Sequence, residues 1–274
     1  MTKKIVVLFL LFIMIVLLIF NINFKSSNKS IYWYENYHIV SHALGQIDNY
    51  TYTNSLEAFF KSYFGGNRIF DADLKWTNDG FLVLRHDWYQ NMGIEYSSGI
   101  RPSLNDFKQR KIHNNYTPLT LEEFLYVMVE YNDIYVAFDA KDGNIVSMWK
   151  KIVNICKKNN IEEVLDRVIV SFYNYEDYFN IKDIFLFKNY VIRYYDVDKN
   201  YNELLEFCLK NNIKVVNISK YILNKSDEYN ILLKNGIKIF VAVENDVENF
   251  KKYYNMGITG VISDYILEED LNGL

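Results

Sequence analysis

Proline and cysteine are almost missing from this 274-residue chain, with two residues of each. So little proline excludes long proline-rich linkers. Cys156 and Cys208 each fall in a helical pattern, and their spacing demands neither a disulfide framework nor a thiolate metal site. They read as small apolar helix residues. A basic excess is missing too. The formal net charge of −4 argues against a general nucleic-acid binder, which presents a basic surface. No internal repeat or low-complexity segment is visible, and no glycine-rich phosphate loop follows the first candidate strand. The last absence disfavours an open doubly wound sheet of the nucleotide-binding kind.

Apolar residues are plentiful, at 50% of the chain, enough to bury a large core. The first of them form an unbroken run over 5–20, after Lys3 and Lys4 and before Asn21, Asn23 and Lys25. A basic flank followed by an apolar stretch is the pattern of a secretory signal or signal anchor. With Ile22 and Phe24 the run approaches the roughly 20 residues of a spanning helix. Near its end there is no small-x-small cleavage site and no cysteine for lipid attachment. The favoured reading is an uncleaved anchor, with Lys3 and Lys4 cytoplasmic and the remainder outside at the cell membrane. A cleaved signal and a secreted product is the alternative. Residues 1–24 are thus expected to be a signal anchor or transmembrane helix, 25–37 a linker, and 38–274 one folded domain.

From 38 onward, short β-branched or apolar runs alternate with amphipathic stretches. The runs at 38–41, 69–73, 134–139, 168–171, 190–194, 215–218, 237–243 and 260–263 predict strands. The stretches 55–63, 121–131, 145–159, 201–211 and 247–256 predict helices, with Thr120 and Glu123 as a capping box. Strands alternating with helices predict an α/β fold with a parallel sheet, and eight strands close a (β/α)8 TIM barrel of about 250 residues. The stretch 79–118 reads as an irregular excursion above the barrel, apart from one extra strand at 81–85.

In such a barrel the chemistry sits at the C-terminal strand ends, and polar residues collect there. The first strand ends in Ser41-His42, and the second carries Asp71-Ala72-Asp73. Strand alternation puts Asp71 and Asp73 on one face, where two buried carboxylates need a neutralising cation. Oxygen donors suit Mg²⁺ or Ca²⁺. Asp139 at another strand end completes a three-carboxylate set, Lys141 shares its face, and the extra strand delivers His86-Asp87. Each signal alone is weak, because a D-x-D pair is often a solvated strand end. Their order and placement carry the reading.

That order resembles the glycerophosphodiester phosphodiesterases and their phosphatidylinositol-specific phospholipase C-like relatives. Asn54-Ser55-Leu56-Glu57-Ala58-Phe59 is similar to the family's Asn-Thr/Ser-x-x-Ala-Phe helix start. Asp71-Ala72-Asp73, Thr77-Asn78-Asp79-Gly80 and His86-Asp87 are similar to its acidic-x-Asp pair, Thr-x-Asp-Gly turn and His-Asp pair. Asp139-Ala140-Lys141 resembles its acidic-x-Lys strand, and 257–264 its final strand. The resemblance spans roughly 38–265. It implies a phosphoric diester hydrolase using one divalent cation on Asp71, Asp73 and Asp139, with His42 and His86 as acid and base. It also implies that Lys141 stabilises phosphoryl charge, and that a small-molecule or lipid phosphodiester is the substrate. Four positions depart from the pattern. Ala43 stands where the family has a phosphate-binding arginine, Thr53 replaces a glutamate, and Asp71 and Asp139 replace glutamates. Arg193, at another strand end, is the candidate replacement clamp, or else an exposed or ion-paired arginine. Trp88, with Tyr89 and Trp76 near the same rim, is a candidate for lining a lipid or alcohol pocket, or else for packing its loop. Aspartate at the third acidic position also resembles the sphingomyelinase D branch. An inactive barrel serving as a cell-surface binding module is the reading from a different class.

Overall fold

The computed structural model describes residues 32–89, 100–195, 200–224 and 227–271. The apolar run at 5–20 and most of the linker lie outside them. The chain separates into an N-terminal unit, 1–36, and a second unit, 37–274. In the first, Trp33–Asn36 form a single helical turn where no periodicity was expected. Among the described residues no helix is long and apolar enough to cross a membrane.

The second unit is a closed barrel. Its strands are β1 (Ile39–Ser41), β2 (Ile69–Trp76), β3 (Leu82–Leu84), β4 (Tyr135–Ala140), β5 (Val168–Phe172), β6 (Asn189–Tyr194), β7 (Val215–Ser219), β8 (Lys238–Ala242) and β9 (Gly260–Ser263). All but β3 run parallel in the order β1-β2-β4-β5-β6-β7-β8-β9, and β9 pairs back onto β1. β3 is the extra strand, antiparallel to the end of β2. Residues such as Val168, Ile169, Val170 and Phe172 are buried throughout β5, as expected of strands covered on both faces.

Local chemistry starts and stops the outer helices. Leu56–Phe64 begins where the Ser55 hydroxyl accepts from the Ala58 amide, and ends at Gly65. Leu121–Glu130 opens on the full Thr120–Glu123 capping box. Ile145–Asn159 buries Met148, Trp149, Ile152, Val153 and Cys156, a stripe at helical spacing, and stops at Asn160 in the left-handed region. Trp149 packs edge-on against Phe187 and Phe138 in the layer between helix and barrel. Cys156 and Cys208 are buried free thiols, and burial pushes both up to about 12. The excursion after β3 holds an unexpected helix, Leu104–Gln109, capped by Ser103 and anchored by Phe107 alone.

Candidate active site

The strands deliver their polar residues to one mouth. His42 directly follows β1, Asp71 and Asp73 lie on β2, and Asp139 is next to last in β4. Register decides which of them meet. Asp73 stands directly opposite Asp139 on the neighbouring strand, while Asp71 is two residues deeper. Arg193, next to last in β6, reaches across the barrel to Asp71. The mouth is a cleft of about 340 Å³ lined by His42, Tyr52, Asp71, His86, Asp139, Lys141 and Arg193, among others. A groove of about 480 Å³ also lies outside the barrel between Phe81 and Lys158, but its only carboxylates are the exposed Glu122 and Glu123. It has no counterpart to the buried acids of the mouth.

All three carboxylates are buried, and each meets a cation of the chain itself. Arg193 Nη2 donates to Asp71 Oδ1 at 2.7 Å, and its Nη1 lies 3.4 Å from Asp139 Oδ2. Lys141 Nζ donates to Asp139 Oδ2 at 2.6 Å and lies 3.1 Å from Asp73 Oδ1. Tyr173 Oη donates to Asp139 as well. Asn54 grips Asp73 from behind: its Nδ2 donates to Asp73 Oδ2 at 2.9 Å and its Oδ1 accepts from the Asp73 amide at 3.0 Å. The Asn-Ser pair thus has two jobs, Asn54 orienting a carboxylate and Ser55 starting a helix.

Two carboxylate oxygens lack a hydrogen-bond donor. Asp71 Oδ2 and Asp73 Oδ1 are buried without a hydrogen bond, although Lys141 is within ion-pair range of the latter. Burial raises the Asp71 carboxyl above the ordinary carboxylate range; Arg193 opposes this, and Asp139 and Asp73 reinforce it. For Asp139, burial also raises, but Arg193 and Lys141 outweigh it and hold the group below its ordinary value. Three buried carboxylates against two fixed cations leave one negative charge in excess. Orphaned carboxylate oxygens carrying excess negative charge are what a hard divalent cation neutralises, so the donors present have the chemistry of an oxygen-ligated cation site. The described residues do not by themselves gather three such side chains into a closed metal shell. Arg193 and Lys141 hold oxygens that the sequence reading assigned to a metal.

The histidines stand on either side of an aromatic ring. Tyr52 meets His42 edge-on with centroids 4.7 Å apart, and meets His86 edge-on at 5.1 Å. His42 Nδ1 bonds Asp264 Oδ1 at 2.7 Å, and Asp264 is held in turn by Asn245 Nδ2 at 2.9 Å. The carboxylate fixes the proton on Nδ1 and leaves Nε2 as the nitrogen available to the cleft. His86 is more open, with its side chain 38% exposed and its Nδ1 3.2 Å from Asp87 Oδ2.

Burial works against the His42 imidazolium, but Asp264, Asp71 and Asp73 together outweigh it and raise the pKa above the ordinary histidine value. Asp264 is shifted the other way: burial raises it, but His42 and Asn245 hold it below the ordinary range. A raised histidine contributes stability that is complete below about 6.5 and lost as pH rises through the folded value. A depressed aspartate contributes above about 3.9 and is lost as pH falls through its folded value. Together they support the fold most between about pH 4 and 6.5. In Asp264→Asn, the His42 imidazole is expected to titrate lower. NMR titration of the metal-free protein checks this, and an unchanged His42 pKa would remove Asp264 as its positioning partner.

Trp88 does not line the cleft. It is 4% exposed and packs edge-on against Phe107 in a small satellite core with Val83. Ala43 is buried with a left-handed φ of 48° and offers the site no side-chain donor. The residue reading passed over Tyr52, Tyr173 and Asp264. Only Asp264 carried a signal, as the acidic residue just past the last strand.

Solved structures share this barrel. A phosphodiesterase from Oleispira antarctica, in complex with the product sn-glycerol-3-phosphate, matches with TM-score 0.65 at 18% identity, over 86% of this chain and 96% of that one. A glycerophosphodiester phosphodiesterase from Parabacteroides distasonis matches with TM-score 0.64 at 17% identity, over 83% and 92%. One from Thermotoga maritima matches with TM-score 0.59 at 19% identity, over 82% and 93%. No protein-family model and no curated protein sequence matches the chain. The chain therefore has the (β/α)8 fold of the glycerophosphodiester phosphodiesterases, and at these identities the likeness is one of fold.

Proposed function

We propose that this barrel is a divalent-metal-dependent phosphoric diester hydrolase that cleaves a glycerophosphodiester or a phospholipid head group. The observation that carries the reading is the pair of imidazoles flanking one cleft above buried, incompletely neutralised carboxylates. The sn-glycerol-3-phosphate bound by the Oleispira antarctica phosphodiesterase supports a small phosphodiester as substrate.

Asp71, Asp73 and Asp139 would hold the Mg²⁺ or Ca²⁺. When bound, that ion would neutralise phosphoryl charge and ease deprotonation of the attacking hydroxyl. The remaining steps belong to side chains. One histidine takes the proton from the attacking hydroxyl and the other returns a proton to the leaving alkoxide. Attack by the substrate's own neighbouring hydroxyl would give a cyclic phosphate. Lys141 uses only part of its three-donor ammonium on Asp73 and Asp139, and what remains is available to a phosphoryl oxygen. A monoanionic phosphodiester together with a divalent cation would close the charge balance of the mouth. On the same reading the N-terminal apolar run anchors the chain in the membrane with the barrel outside the cytoplasm.

The test is hydrolysis by the purified full chain of glycerophosphodiesters, phosphatidylinositol and lysophospholipids, with Mg²⁺ or Ca²⁺ and then with a chelator. Turnover that the chelator abolishes and the cation restores is the expected result. No turnover on any of them by folded protein that binds the cation would favour a surface binding module instead.

A further inference from the structure

Among the described residues, Arg193 is the one arginine lining the cleft, and it is committed to carboxylates rather than left open for an anion. It is 5% exposed inside the barrel, with one amino group on Asp71 and the other near Asp139. It therefore bridges two of the three acids that the proposed function assigns to the cation. Its Nε is buried without a hydrogen bond. Tyr173, which also donates to Asp139, lies beside the guanidinium, with its ring centroid 5.8 Å from Cζ.

A guanidinium does not shed its proton, so this positive charge stays in the barrel at every physiological pH. Without it, Asp71 would be a buried carboxylate with no cation in hydrogen-bond contact, because Lys141 hydrogen-bonds Asp139 and lies against Asp73. With it, a divalent ion on Asp71 Oδ2 would share its ligand with a fixed like charge at hydrogen-bond distance from the other oxygen. Repulsion between those two cations is strong where water is excluded. Glutamate at these positions would put its carboxylate one methylene farther from the backbone; the shorter Asp71 and Asp139 stay within the guanidinium's reach.

We propose that Arg193 is a resident counter-cation of the site. It neutralises Asp71 and Asp139 in the metal-free protein, and it competes with the divalent ion for them. The inference rests on the cation site of the proposed function. Its consequence is a high loading threshold: the site folds intact without metal and fills only when the cation is abundant enough to share or displace the guanidinium. Removing the charge should tighten cation binding while making the fold depend on it.

Calorimetric titration of Mn²⁺ into the metal-free full chain, wild type and Arg193→Gln, tests this. Arg193→Gln is expected to bind at least tenfold more tightly. Thermal melting with and without Mn²⁺ keeps the test informative if the variant is unstable, because the variant's midpoint should then rise with Mn²⁺ more than the wild type's does. Equal or weaker binding by Arg193→Gln, with no larger thermal shift, overturns the counter-cation role and leaves the cation site standing. No Mn²⁺ binding by either protein overturns the cation site, and this inference with it.

Discussion

On the proposed mechanism, replacing His42 by alanine is expected to lower phosphodiester turnover by about 10²–10⁴-fold, and His86→Ala by a similar factor, because each would remove one proton-transfer partner. The fold should survive both changes. His86 sits at an open rim with its side chain 38% exposed. His42 is more enclosed, but its loss does not orphan Asp264, which keeps the Asn245 side chain on Oδ2 and joins its own amide to Asn245 Oδ1. Groups acting in one reaction step are not additive, so the double variant should fall little below the weaker single variant. Cation binding should persist in both, since neither imidazole is assigned to the metal. Steady-state turnover alongside Mn²⁺ titration separates the cases. Wild-type turnover in either variant removes that histidine from the chemistry. Lost turnover together with lost cation binding would mean that the histidine is a ligand.

Gly260→Ala is expected to damage the fold strongly. The first residue of β9 passes so close to its neighbours that an added Cβ would lie 2.2 Å from the His38 carbonyl oxygen and 2.5 Å from Phe240 Cε1. The His38 carbonyl accepts the 2.8 Å hydrogen bond from the Val261 amide, beside the pairing that joins the last strand to the first. The clash therefore falls on the closure of the barrel, where neither backbone can retreat alone. Overpacking of this kind costs about 3 kcal/mol or more, a drop in melting temperature of about 6–12 °C for a domain this size. Gly143→Ala is the control. A Cβ there meets nothing within 4 Å, and its effect should stay within about 0.5 kcal/mol. Urea denaturation of the two variants side by side checks the prediction. Equal midpoints would mean that the strands part to admit the methyl group.

Much of the barrel was readable from local pattern. Each of the eight parallel strands was expected near where it occurs, because a strand buried on both faces is a short, nearly continuous apolar run. The capping box at Thr120 and the stripe of Ile145–Asn159 were equally local. Leu104–Gln109 was missed because six residues with one buried apolar side chain give no measurable period. Within the site, strand alternation was enough to put Asp71 and Asp73 on one face. It could not reveal that Asn54 grips Asp73, nor that Trp88 turns away from the cleft into a satellite core.

The sequence by itself determined the chain's alternating order of strands and helices and the strand ends that carry acids and histidines. Those properties depend on residues a few positions apart, where periodicity and capping act. Tertiary structure alone decided the pairings: His42 with Asp264 across 222 positions, and Arg193 with Asp71 across 122. Barrel closure and strand register bring inward faces together without regard to distance along the chain. The low dielectric of the interior then makes each buried charge take whichever partner that geometry supplies.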